Sequence, residues 1–262
     1  MGLLDNVVVD SRLDSCGVIV DSDSLVFKAC YHFKDKWNIE LAYFDFAEQI
    51  GSIRSAMYTK TKKIDELLIA LTSSTNFRYD IYPDYKLNRK TPDDDSKLLR
   101  SHVKELKELI LKRVKQVVLV DVRYEADDWM YYYSELGYLL SAIDSDVKNS
   151  SLMPVYDFNK SEWFEPLDTK QIDRNILIYA MAGKSKDNVK GVKGIGLVNA
   201  TKFVDSVNNG DKTINDYIDK FLTPDDCLMN VRLVSLKQIG ENRQLELHTV
   251  EDMFSMFDIP FD

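Results

Sequence analysis

Apolar residues along the chain gather into short runs that each end in a polar or acidic residue, the pattern of strands buried on both faces. "CGVIV" runs into Asp21 in "DSDS", "ELLIALT" into Ser73 in "SSTNFR", and "GYLLSAI" into Asp144 in "DSD". "VKQVVLVDV" stops just before "YEADD", and "LMPVYDF" is a fifth candidate strand. "LVFKACYHF" and "WMYYYSELG" continue from these ends as helices. Strands alternating with helices predict an α/β domain with a mostly parallel sheet. After "WFEPLD" the period changes. "TKQIDRNILIYAMAG", "GLVNATKFVDSV", "TINDYIDKFL" and "VEDMFSMF" all space their apolar residues for helices. The expected organisation is an α/β domain over 1–168, containing a long charged, partly helical segment over 79–115, and an all-helical part over 169–262. "SEWFEPLD" reads as a turn that packs between the two.

Composition narrows the class without naming a chemistry. The chain has 262 residues, 45% hydrophobic and 29% charged, the balance of a soluble globular protein. No apolar run approaches the roughly 20 residues of a membrane span. The opening "MGLLDNVVVDSR" has neither the charge nor the apolar core of a secretory leader. Three scattered cysteines, Cys16, Cys30 and Cys227, suit reduced thiols, so the cytoplasm is the expected location. A net charge of -9 argues against non-specific coating of nucleic acid. Positive charge is concentrated, however. Arg78, Lys86, Arg89, Lys90, Lys97, Arg100, Lys104, Lys107, Lys112, Arg113 and Lys115 crowd one segment, and Lys184, Lys186, Lys190, Lys193 and Lys202 a second.

The acids are placed where chemistry is expected. In open α/β sheets ligands sit beyond the carboxyl ends of the strands. That rule brings Asp21 and Asp23, Glu125, Asp127 and Asp128, and Asp144 and Asp146 to one crevice. Carboxylates so crowded repel one another unless cations neutralise them. Oxygen ligands without Cys or His suit Mg²⁺ or Mn²⁺, the usual equipment for phosphoryl transfer. His32, His102 and His248 lie away from these motifs. Single acids at strand ends are commonly helix caps, and Asp23 before "LVFKA" reads that way. Three clusters on separate strand ends exceed what capping needs.

The stretch "GKSKDNVKGVKGIG" has two superficial resemblances that fail. A phosphate-cradling nucleotide loop needs glycine at position 178, which holds Ile178, and "GVKGIG" neither has the dinucleotide spacing nor follows a strand. What remains is a glycine turn feeding the helix "LVNATKFV". There the backbone N–H groups of Gly194 and Gly196 can approach a phosphate, with Lys190, Lys193 and Lys202 nearby.

Together these pieces resemble the 5′-nuclease superfamily: flap endonucleases, the 5′-nuclease domain of bacterial polymerase I, and phage 5′–3′ exonucleases. The markers are "VIVDSDSLVF", "NFRYDIYPDYKLNRK", "EADD", "IDSD" and "GKSKDNVKGVKGIG", in the family's order, and the phage type looks nearest. The resemblance implies a PIN-like sheet flanked by helices and a C-terminal helical part with a helix–hairpin–helix-type element. By position, Asp21, Glu125, Asp127 and Asp128 match the first metal cluster, and Asp144, Asp146 and Asp187 the second. Arg78, Lys86 and Arg89, with Tyr85 beside them, match the basic arch residues that steer the scissile phosphate. Lys90, Lys190, Gly191, Lys193, Gly194, Gly196 and Lys202 match positions against the DNA backbone, with K⁺ held by the "GVKGIG" loop. The implied activity is metal-dependent hydrolysis near DNA 5′ ends, at a duplex end, flap or nick or in an RNA–DNA hybrid. It implies a monomer, away from membranes, working with replication or repair proteins.

Two departures stand out. Where the family places an aspartate after the second strand the chain has Ser73. Where the family writes Gly-Asp-x-x-Asp-Asn it has Gly183-Lys184-Ser185-Lys186-Asp187-Asn188. Losing one acid is one unit of charge and reversing another is two, three units in all. At a few ångströms and an effective dielectric near 20, one such ammonium opposes a cation by about 4 kcal/mol. The second metal site is therefore expected to be weakened, and a homologue that binds structured DNA without cleaving it is the alternative. A haloacid-dehalogenase-type phosphatase would explain "VIVDSDS" but has no use for "YKLNRK" or "GVKGIG".

Overall fold

The computed structural model of the protein describes residues 16–89, 94–114, 118–121, 123–237 and 239. The chain divides into two compact units, one of residues 1–74 and 91–167 and the other of residues 75–90 and 168–262. No helix among the described residues is long and apolar enough to cross a membrane.

The first unit is a six-stranded sheet with helices on both faces. Its elements are β1 (Gly17–Asp21), α1 (Asp23–His32), α2 (Ile39–Thr61) and β2 (Glu66–Ala70). After α3 (Phe77–Ile81), which belongs to the second unit, come α4 (Asp94–Arg113), β3 (Val118–Leu119), α5 (Ala126–Glu135), β4 (Leu139–Ser141), α6 (Ser145–Lys148), β5 (Val155–Asp157) and β6 (Glu162–Phe164). The order across the sheet is β3-β2-β1-β4-β5-β6. β1 to β5 pair in parallel, and β6 returns antiparallel to β5. The sequence places these five strands as its pattern predicts; β6 forms instead of the turn expected from "SEWFEPLD". Trp163 there lies against Tyr156, centroids 5.3 Å apart.

Burial explains the continuous apolar runs. Val18 and Val20 face one core with Leu25, Phe46, Met57, Leu106 and Ile110, while Ile19 faces the other with Leu68, Ala126, Met130 and Leu140. A strand covered on both faces has no polar alternation. The strand order reverses direction between β1 and β4, so the connections diverge and open a crevice at their carboxyl ends. Helix α2 escaped the sequence reading. Asn38 caps it, accepting the Glu40 and Leu41 N–H groups at 3.0 and 3.1 Å.

The second unit contains α7 (Thr169–Ala182), the two-residue strands β7 (Gly183–Lys184) and β8 (Val189–Lys190), α8 (Leu197–Asn208), α9 (Ile214–Ile218) and α10 (Pro224–Val234). A 3-10 turn over Ser185–Asp187 joins β7 to β8. Helix α10 has Thr223 as cap and Pro224 in its first turn, a start signal that the sequence carried unread. The helix expected from "VEDMFSMF" lies outside the described residues.

Candidate metal centre

Three segments of the first unit deliver carboxylates to the carboxyl end of the sheet. Asp21 is the last residue of β1, in register with Ala70 of β2. It is 6% exposed and accepts the Asp23 N–H at 3.3 Å. Asp144 follows β4 and caps α6, accepting the Asp146 N–H at 2.8 Å. Asp127 enters from the first turn of α5. One oxygen each of Asp127, Asp144 and Asp146 lie within 4.8 Å of one another. An oxygen shell with bonds of about 2.0–2.6 Å spans about 4–5 Å, so these residues fit a hard divalent cation.

The other two acids of "EADD" are used differently. Glu125 is the N-cap of α5, and its N–H donates to the Asp128 carboxylate at 2.9 Å while its own carboxylate accepts the Asp128 N–H. This reciprocal capping box holds Glu125 and the fully buried Asp128 against the helix backbone. Glu125 stands near enough to raise the proton affinity of Asp127, which groups with Asp144 and Asp146.

Electrostatics make the cluster cation-seeking. Burial pushes the Asp21 carboxyl up to about 7, and the negative charges of Asp23 and Asp144 add to the effect. Asp127 is driven well above the usual carboxylate range, first by burial and then by Asp21, Asp144, Glu125 and Asp146. Asp21 thus registers two neighbouring acids and Asp127 four. A divalent cation would reverse the penalty by favouring the ionised forms. The histidines take no part among the described residues. His32 pairs with Asp45 at 3.0 Å, and His102 stacks on Trp37.

The sequence reading missed one cation at this end of the sheet. Lys107 of α4 donates to the Asp23 carboxylate at 2.5 Å and to the Thr72 carbonyl at 2.8 Å. The Thr72 N–H donates back to Asp23 at 3.1 Å, and the Thr72 hydroxyl accepts the Ala126 N–H at 2.9 Å. Ser73, in the place of the expected aspartate, is half-buried in the loop that follows. A signal for Lys107 existed: it stands within the apolar stripe Leu99, Val103, Leu106 and Ile110 of α4.

The second unit holds the remaining candidates. Asp187 is 6% exposed, with Arg89 at 3.4 Å and the Lys86 ammonium at 4.0 Å. The Lys86 N–H donates to the Asp187 carbonyl at 2.8 Å, and the Asn188 side chain donates to the Asp84 carbonyl at 2.8 Å. The "YPDYKLNR" loop is thus clamped to the Ser185–Asp187 turn, with Lys86 held at the left-handed φ of 59°. Tyr85 is buried, 5.6 Å centroid to centroid from Tyr79. Arg78 is 1% exposed, its guanidinium donating to the Leu233 and Ser235 carbonyls at 3.1 and 2.9 Å. It ties α3 to the end of α10. Lys184 lies in β7 with its ammonium 5.1 Å from the Tyr179 ring centroid.

Glycines set the rest of this turn. Gly183 has φ 78°, and a side chain on Gly191 would meet the Ala182 carbonyl carbon at 2.3 Å, so β7 and β8 approach only as glycines. Gly194 has φ 81°, and Gly196 precedes α8. Lys190, Lys193 and Lys202 are exposed around this turn, whereas Lys90 lies outside the described residues.

Residues 17–142 match the family of the 5′-3′ exonuclease N-terminal, resolvase-like domain. DNA polymerase I of Borreliella burgdorferi (strain ATCC 35210 / DSM 4680 / CIP 102532 / B31) is 23% identical over 271 residues, 92% of this chain. The chain spans 29% of that protein's length. The zinc-bound 5′-exonuclease of T5 is similar in fold at a TM-score of 0.62 and 20% identity, over 84% of this chain and 89% of that one. A variant flap endonuclease of bacteriophage T5, solved with DNA and metal ions, aligns at a TM-score of 0.62 and 18% identity over 92% and 98%.

Proposed function

We propose that the protein is a divalent-metal-dependent 5′-nuclease of the 5′-nuclease superfamily that hydrolyses phosphodiester bonds near DNA 5′ ends, a reading supported by the match of residues 17–142 to the 5′-3′ exonuclease N-terminal domain. The observation that carries this is the convergence of Asp127, Asp144 and Asp146 within 4.8 Å, with buried Asp21 near enough to raise the proton affinity of Asp127. A bound divalent ion supplies an activated water and charge neutralisation for the phosphate. The chain's own groups do the rest. Asp127, Asp144, Asp146 and Asp21 would hold the ion, with Mg²⁺ or Mn²⁺ the best match to their oxygens. Lys86 and Arg89 supply positive charge to a phosphate, with Asp187 holding both, and Arg78 and Tyr85 fix the loop that presents them. Glu125 and Asp128 set the orientation of Asp127 through the capping box.

The glycine turn at Gly191, Gly194 and Gly196, with Lys190, Lys193 and Lys202, is the helix–hairpin–helix-type element of the proposal. It would grip the backbone of a duplex bearing a 5′ end, flap or nick, with K⁺ bound at its carbonyls. A cytoplasmic monomer acting in phage-type replication or repair fits this reading.

A 5′-labelled nicked or flapped duplex, incubated with Mg²⁺ or Mn²⁺, provides the test. Release of short labelled products by the native protein, and none by Asp127→Asn, is expected. The second reading, a homologue that binds without cleaving, is favoured by Ser73 and Lys184 at positions where the family has acids. Salt-sensitive DNA binding with no product at high protein concentration would establish it instead.

A further inference from the structure

We propose that Lys107 is a resident counter-cation of the metal centre: its ammonium neutralises Asp23 and so sets how strongly the carboxylate crevice attracts divalent metal. The proposal rests on the metal-binding reading above, though not on cleavage.

The residue is placed for this by helix geometry. Lys107 interrupts the buried stripe of α4, so its long apolar stem follows the core while its ammonium reaches the carboxyl end of the sheet. It ends at a made site. Asp23 at 2.5 Å and the Thr72 carbonyl at 2.8 Å are both acceptors, and Thr72 returns its N–H to the same carboxylate. The pair is connected to the cluster from two sides. The Asp23 N–H donates to the Asp21 carboxylate at 3.3 Å. The Thr72 hydroxyl accepts from Ala126, the residue before Asp127. The loop after β2, where Ser73 replaces the family's acid, is therefore bordered by an ammonium at Thr72. Positive charge is built into the crevice on the side where a negative ligand is missing.

Charge accounting then fixes an order of metal affinities. With Lys107 and Asp23 both present the pair is neutral. Lys107→Met leaves a net negative charge, Asp23→Asn a net positive one, and the double variant is neutral again. One unit of charge about 6 Å from a divalent ion, screened at a water-like dielectric near 80, changes binding by about tenfold. Mn²⁺ binding to the full chain, read by calorimetry and by loss of the free-ion electron paramagnetic resonance signal, measures this without any substrate. Lys107→Met should bind Mn²⁺ about tenfold more tightly than the native chain, Asp23→Asn about tenfold more weakly, and the double variant within about threefold of native.

A purely structural lysine would make every substitution weaken binding, and this result would overturn the proposal. So would an Mn²⁺ affinity unchanged in both single variants. Should Lys107→Met not fold, Lys107→Gln takes its place, with the same tightening expected and weakened binding equally fatal. Failure of the nuclease reading would be seen separately, as Mn²⁺ binding in the predicted order with no cleavage of DNA. Absence of Mn²⁺ binding by the native chain would remove both.

Discussion

Replacing Asp21 with asparagine should stabilise the metal-free protein at neutral pH. The carboxyl is 6% exposed, and burial, reinforced by Asp23 and Asp144, pushes it from an ordinary 3.8 to about 7. The folded chain therefore keeps this proton over a range in which the unfolded chain has lost it. The resulting stability is fully present below about pH 4 and is lost as pH rises through about 7. At about 1.4 kcal/mol per tenfold in proton affinity, the loss comes to about 4 kcal/mol, of which about 2.6 falls between pH 5 and pH 8. Part of the repulsion relaxes when neighbouring acids take up protons, so about 2 kcal/mol should be observed. Urea unfolding in EDTA at pH 5 and pH 8, at constant m-value, is the assay. The advantage of Asp21→Asn over the native chain should widen by about 2 kcal/mol between the two pH values. Millimolar Mn²⁺ should then reverse the order at pH 8, because the ion binds the native carboxylates. An advantage that does not change with pH, or a variant less stable than native at pH 8 in EDTA, would refute the reasoning.

Gly191→Ala places a side-chain carbon 2.3 Å from the Ala182 carbonyl carbon, which forces β7 and β8 apart. A loss of about 3 kcal/mol in urea unfolding is expected, and less than 1 would show that the hairpin yields easily. Arg78→Met leaves the Leu233 and Ser235 carbonyls without their buried donor. It should cost about 2–4 kcal/mol of stability, while DNA affinity measured below the melting temperature should stay within about twofold. Lys184→Asp restores the acid of the family's motif and should lower the metal concentration for half-maximal cleavage by about tenfold or more, read in a Mn²⁺ titration of nuclease rate.

The sheet and the ends of its strands were legible because burial on both faces removes polar alternation, leaving runs such as "GVIVD" with their acid at the end. Asp21 and Asp144 follow from that rule directly. The division of labour within "EADD" does not, since an acid at the cap and another three residues on satisfy backbone N–H groups as readily as a metal. Only the geometry separates Asp127 from its neighbours. Arg78 belongs by sequence with the charged segment, but its guanidinium finds carbonyls 155 and 157 residues later in the chain, partners that no local pattern announces. Lys107 is the reverse case. Its position in an apolar stripe was visible, yet the carboxylate that draws it inward is 84 residues away. "EWF" became a strand because β5 offered a free edge, a property of the sheet and not of those three residues.

The interleaving of the two units bears on how the protein can be made. Residues 75–90 emerge from the ribosome early, but Arg78 and Asn88 must wait for acceptors near positions 185 and 235. The helical unit can therefore close only after residue 235 has been made, whereas most of the α/β unit is available sooner. Expression of 1–168 alone would strand a buried guanidinium with no carbonyls to receive it. Co-expression of the two pieces, so that 75–90 can find its distant partners in trans, is the arrangement by which the halves of this protein could be studied apart.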